Sequence, residues 1–188
     1  TDRIGELTTI WSDHLVGRPE NHMTGVSFLR GGYHRIAKRA ANGAGGYTVY
    51  RPEHWMFQGT DIGYGDVLGA SATTVGYECD GCEYTIVDGL PVPTHTDGTP
   101  ESFGILAMVP AAHFTRTTSA RPPGPNEPSE LEYLSARLFG ERSEAAAKRI
   151  AAGQAMLGAY TSSGGGTVVT SGSTDWAHGL AGRDPDVE

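Results

Sequence analysis

The chain has 188 residues, with 14 lysines and arginines against 22 aspartates and glutamates, a formal charge of −8. Such an acidic balance argues against sequence-independent binding to nucleic acid or to an anionic membrane surface, both of which need a cationic face. No apolar run approaches the roughly 20 residues that span a bilayer, and the first residues do not read as a signal peptide.

Two cysteines cannot form a disulfide scaffold, so the fold has to rest on a hydrophobic core, and the default compartment is the cytoplasm. Glycine (27) and proline (11) are frequent, while hydrophobic residues make up 38%. This is the composition of a folded domain with long Gly/Pro-rich loops rather than of a disordered chain. Residues 1–188 read as a single domain.

Residues 1–22 show no period. Gly25–Leu29 has strand composition and ends at Arg30-Gly31-Gly32, a turn signal. Tyr33–Ala41 reads as a short helix or turn. Tyr47–Arg51 and His54–Phe57 are extended candidates on either side of Pro52, and Val75–Glu78 reads as a strand running into Cys79. Leu90–Pro100 carries three prolines and cannot be regular for long.

Phe103–Val109 is the clearest buried strand, a short continuous apolar run closed by Pro110. A strand buried on both faces suits a parallel or mixed sheet covered by helices. Pro128-Ser129-Glu130 opens a helix with Leu131, Leu134 and Leu138 on one side, and Glu141–Ala152 forms a second, stopped by Gly153. Ala155–Thr161 and Thr167–Thr170 read as strands joined by Ser162-Ser163-Gly164-Gly165-Gly166. The pattern predicts an α/β fold: a mixed sheet with flanking helices.

Three groups of residues could carry chemistry. Cys79 and Cys82 have the spacing of half a zinc site but lack a second pair, so two small residues around a glycine turn is the plainer reading. Asp175 and His178 follow the last strand, where ligands collect in open α/β sheets. They could orient one another for acid–base work, or Ser173, Thr174 or Asp175 could cap a short helix from Trp176. The acids near turns, among them Glu6, Glu20, Glu78 and Asp80, include possible ligands for a hard cation. No Gly-x-Ser-x-Gly elbow is present.

Several segments occur together in order: Arg18-Pro19-Glu20-Asn21, Gly25-Val26-Ser27-Phe28, Glu53-His54-Trp55-Met56-Phe57, Gly76-Tyr77-Glu78-Cys79-Asp80-Gly81 and Gly166–Trp176. With them the chain resembles the C-terminal part of the large (beta) subunit of N,N-dimethylformamidase and its actinobacterial relatives. The resemblance implies a class I glutamine amidotransferase-like α/β domain that hydrolyses small N-substituted amides. It implies a mononuclear iron held by two tyrosines and a glutamate, suited to polarising a carbonyl and acidifying a bound water.

By the same resemblance Glu6, five residues before Trp11, is the first candidate iron ligand and Glu78 the second. The tyrosine ligands are expected on an upstream polypeptide or a separate subunit that completes the domain. The acid–base glutamate of the family falls near Thr161, which cannot replace it, so Asp175, His178 and Glu78 are the catalytic candidates. A non-catalytic structural or assembly subunit of a larger complex is the alternative expectation. A zinc module on Cys79 and Cys82 is a third.

Overall fold

The computed structural model describes residues 10–36, 39–40, 45–119, 121–180 and 183–187. Its longest strands are an antiparallel pair, β9 (Gly104–Ala111) and β10 (Gly153–Thr161). They sit at the middle of a five-stranded sheet in the order β11 (Thr167–Thr170), β10, β9, β4 (Tyr47–Val49), β5 (Val67–Leu68). Strand β1 (Ser27–Tyr33) pairs with β6 (Glu78–Gly81), and β2 (Arg35–Ile36) with β3 (Arg39–Ala40). Strands β7 (Tyr84–Val87) and β8 (Leu90–Pro93) form a separate hairpin.

Every ladder among the described residues is antiparallel, where the sequence pattern suggested a mixed sheet. The apolar run in β9 is indeed buried, but strands and loops rather than crossover helices cover it. The ladders join end to end. Tyr33 and Ala112 exchange both backbone hydrogen bonds at 3.0 Å, so β1 continues onto the end of β9. Beyond β11 the chain turns onto β6: Asp80 N donates to Gly172 O (3.0 Å) and Thr174 N to Glu78 O (3.1 Å). Hydrogen bonding thus runs in a circuit through β1, β6, β11, β10 and β9.

Alternation along β10 divides the core. Ala155, Leu157 and Ala159 face one apolar cluster with Tyr47, Val49 and Leu106, while Met156 and Tyr160 face another with Val26, Phe103 and Ile105. A β-bulge interrupts β9, because Leu157 pairs with Ala107 but Gly158 pairs with Ile105. The extra residue puts Leu106 and Ala107 in the same cluster, and frees the Leu106 carbonyl to accept from Tyr50 N and Arg51 N.

Where β1 and β6 pass over β10, the backbones meet with no side chain between them. A Cβ at Gly153 would lie 1.7 Å from Gly31 O, and one at Gly31 1.8 Å from Cys79 O. At the turn after β11, a Cβ on Gly172 would fall 2.6 Å from Asp80 O and 2.4 Å from Met156 O.

The two helices expected from the sequence are present, α2 (Glu130–Phe139) and α3 (Glu144–Ile150), after a short first helix α1 (Asn21–Thr24). They pack on Leu29 of β1 through Leu134 and Ile150. Helix α2 starts in a full capping box: Ser129 Oγ accepts from Glu132 N, and the Glu132 carboxylate accepts from Ser129 N at 2.7 Å. Replacing Ser129 with alanine leaves the Glu132 N–H without its acceptor, and the chain should lose about 1 kcal/mol of stability. Urea titration of Ser129→Ala checks this, and an unchanged midpoint would show that the cap does not hold the helix.

Some local expectations fail for identifiable reasons. His54–Phe57 is a 3-10 turn (Trp55–Phe57) rather than extended, with His54 Nδ1 accepting from Met56 N. Tyr33–Ala41 contains strand residues of β1, β2 and β3 in place of a helix or turn. Within Leu90–Pro100 regular structure is short, as the prolines suggest: only Leu90–Pro93 is a strand. Asp88-Gly89 has positive φ at both residues (51° and 81°) and closes the β7–β8 hairpin, while edge position tolerates the missing N–H groups.

Candidate functional site

Strand β6 places Glu78 and Asp80 two residues apart, so both side chains rise from the same face, while Cys79 between them turns into the core. The facing wall is the segment that pairs with β6 after β11. Together with Phe28 of β1, these two acids and Thr170–Thr174 enclose a cleft of about 510 Å³.

Ser173 fixes that wall. Its hydroxyl donates to Thr74 O (2.8 Å) and accepts from Gly76 N (3.0 Å) and Asp175 N (3.1 Å). Gly172 makes the turn possible, with φ of +55° and the neighbouring backbone too close for any side chain.

The two carboxyls differ in setting. Glu78 is exposed at the mouth of the cleft. Asp80 is partly buried, and its carboxyl is pushed up to about 6 by loss of solvent, with the negative charges of Glu20 and Glu78 adding to the shift. Glu20 is held nearby by Ser27 Oγ, which donates to it at 2.6 Å, and by Ser12 Oγ.

Ionising Asp80 therefore costs folding free energy. The native carboxyl holds its proton more tightly than the unfolded one. The penalty is absent below about pH 4, develops between about 4 and 6, and is complete above that range. A shift of this size corresponds to roughly 2–3 kcal/mol. Asp80→Asn should be more stable than wild type at pH 7–8, by up to about 2 kcal/mol. The advantage should vanish by pH 4. Urea unfolding of both proteins across this range is the check, and a difference that does not change with pH would contradict the burial argument.

The residues singled out from the sequence fall in different places. Glu78 lines the cleft. Asp175 stands beside it, 14% exposed, with its carboxylate bonded to Arg35 of β2. His178 is 48% exposed, with Nδ1 3.9 Å from Asp175 Oδ2, too long for a hydrogen bond. A 3-10 turn (Trp176–Gly179) does begin after Asp175, but the Asp175 side chain makes no cap bond. Gly76 leaves room for this carboxylate: a Cβ there would lie 1.9 Å from Asp175 Cγ. Glu6 lies outside the described residues.

Asp80 and Glu20 are the members that sequence reasoning did not select as catalytic. Two acids at i and i+2 on a strand leading out of Tyr77 carry the signal for Asp80. The cysteines on either side of it have another role. Cys79 and Cys82 are free and buried in different core clusters. Cys79 donates to Gly76 O and Cys82 contacts Met156 Sδ at 3.4 Å, and burial pushes both thiols up to about 12. They are neutral packing residues rather than paired zinc ligands.

Among the described residues, no group of three or more His, Cys, Asp and Glu side chains converges to hold a metal ion. The described residues by themselves do not contain a full set of metal ligands. Among the described residues, no helix is long and apolar enough to cross a membrane.

Comparison with curated proteins and with solved structures gave no match. A family model described as N,N-dimethylformamidase beta subunit-like, C-terminal, matches residues 1–187. On that match, which spans the strands, the helices and the whole cleft, the chain belongs to the N,N-dimethylformamidase beta subunit-like C-terminal family.

Proposed function

We propose that this chain serves an amidohydrolase of the dimethylformamidase type, and that the Glu78–Asp80 cleft is where a small N-substituted amide is cleaved. The observation that carries the reading is the pair of carboxyls on one strand face, one exposed and one partly buried with its proton retained to about pH 6. Amide hydrolysis needs a base to take a proton from the attacking water and an acid to protonate the departing nitrogen. Two carboxyls in contrasting environments can divide those tasks.

In this reading Glu78 accepts the water proton at the open mouth. Asp80 donates to the amine nitrogen as the C–N bond breaks. The acyl carbon leaves with the water oxygen as a carboxylic acid. The Arg35–Asp175 pair, with His178 beside it, borders the same wall and keeps the 171–175 segment in place.

The amidotransferase-like domain and the iron implied by the resemblance belong to this proposal as well. Glu6 would be a ligand on this chain, with tyrosines from an upstream polypeptide or separate subunit. The test is release of amine and formate from N,N-dimethylformamide by the purified protein with its natural partners. Turnover that Asp80→Asn depresses supports the reading. No turnover from a folded, complete assembly would assign the chain to a non-catalytic structural role.

A further inference from the structure

Strand β1 carries an arginine that the cleft does not use. The side chain of Arg30 is 9% exposed, and its Nη2 donates to Glu83 at 2.8 Å. Its Nε is buried and has no hydrogen-bond partner among the described residues, since Asp97 Oδ2 lies 4.0 Å away. A buried donor left unbonded costs stability until something accepts from it.

A second guanidinium lies close by. Arg149, near the end of α3, has its central carbon 3.7 Å from the ring centroid of Phe139, the last residue of α2. Arg30 is 5.5 Å from the same centroid. The ring attracts both cations, but the cations repel one another. Glu83 offsets one of the two charges. Arg149 is exposed and makes no hydrogen bond or ion pair among the described residues.

Both arginines line a cavity of about 200 Å³, together with Glu83, Tyr84 of β7, Gln154 of β10 and the buried Ile150. This cavity has no lining residue in common with the Glu78–Asp80 cleft. The Tyr84 hydroxyl and the Gln154 side-chain amide make no hydrogen bond among the described residues. Burial pushes the Tyr84 hydroxyl up, so it stays protonated and able to donate. Glu83 already accepts from Arg30 and, at 2.7 Å, from Thr96 Oγ1. The lining thus brings together four residues with unused donors and one positive charge in excess.

That combination suits a monovalent oxyanion. The planar fork of an arginine meets a carboxylate with two parallel hydrogen bonds. Ile150 offers apolar surface to a short alkyl chain. The volume lies below the roughly 300–1,000 Å³ of sites for larger ligands. We propose that this cavity binds a small aliphatic monocarboxylate, held by the Arg149 fork, Tyr84 and Gln154. The site stands apart from the cleft and does not depend on the reaction assigned to it.

The test is direct binding to the full chain. Sodium propionate is titrated in, and separately sodium chloride and sodium phosphate at equal ionic strength, while the Gln154 side-chain amide is followed by NMR. Propionate should give a saturable shift, with at least about tenfold tighter binding than either inorganic anion. Arg149→Gln should weaken propionate about tenfold. Arg149→Lys keeps the charge but loses the planar fork, and should fall between. Tyr84→Phe, which removes one oxygen, should weaken binding severalfold.

Absence of a saturable shift, or unchanged affinity in Arg149→Gln, would overturn the site. Phosphate or chloride binding as tightly as propionate would overturn its assignment to a carboxylate.

Discussion

Gly153→Ala should unfold this domain or bring it close to unfolding. The added methyl would stand 1.7 Å from Gly31 O and 3.0 Å from Arg30 O, both backbone atoms. No side-chain rotation can relieve such an overlap. Strand β1 would have to lift from β10, and β1 is bonded to β6 on one side and to Ala112 on the other. Lifting it opens the hydrogen-bonded circuit and uncovers Leu29, on which α2 and α3 pack.

Overpacking of this kind costs on the order of 3 kcal/mol, and more where backbone cannot yield. A domain of this size has roughly 5–15 kcal/mol in total. Gly164→Ala is the control, since the nearest atom to its added methyl would be Ser162 Oγ at 3.9 Å. Thermal and urea unfolding should show a large loss for the first variant and almost none for the second. Equal stability in both would contradict the close crossing of β1 over β10.

The second large effect falls on catalysis. Glu78→Gln keeps the shape of an exposed side chain and removes its ability to accept a proton. General-base catalysis typically contributes roughly 10²–10⁴ in rate, so kcat/KM for amide hydrolysis should fall at least about 100-fold. Stability should hardly change, because the side chain is exposed and the β6 ladder uses only its backbone. The combination separates a chemical role from a structural one. A variant that loses activity only in proportion to lost folded protein would point to structure instead.

How much of this was legible in the sequence depends on the range of the interactions. The capping box at Ser129 and Glu132 and the apolar run of β9 are local signals, and both elements formed where expected. The Asp88-Gly89 hairpin was equally local, but the prolines at 91 and 93 obscured it. The direction of the strands was not legible. A short apolar run has the same pattern in parallel and antiparallel sheets, and only partners far along the chain decide between them.

The site divides in the same way. Glu78 and Asp80 share a face because strands alternate, and that rule needs only their spacing. The elevated carboxyl of Asp80 depends on burial and on Glu20, which is distant in sequence, and the 171–174 segment that walls the cleft is more distant still. The apparent Asp175–His178 partnership was legible as spacing, but the carboxylate meets Arg35, which lies 140 residues away. Gly76 and Gly172 shape the cleft through absent side chains, which composition counts cannot reveal.

The most direct test of the acid–base account is the pH dependence of kcat/KM for wild type and Asp80→Asn, measured on the complete assembly with N,N-dimethylformamide. If Asp80 donates the proton to the leaving amine, the wild-type rate falls as pH rises through about 6, and the variant is slower and lacks that limb. Superimposable profiles of equal height would contradict the assignment of the cleft as the place where the amide bond is broken.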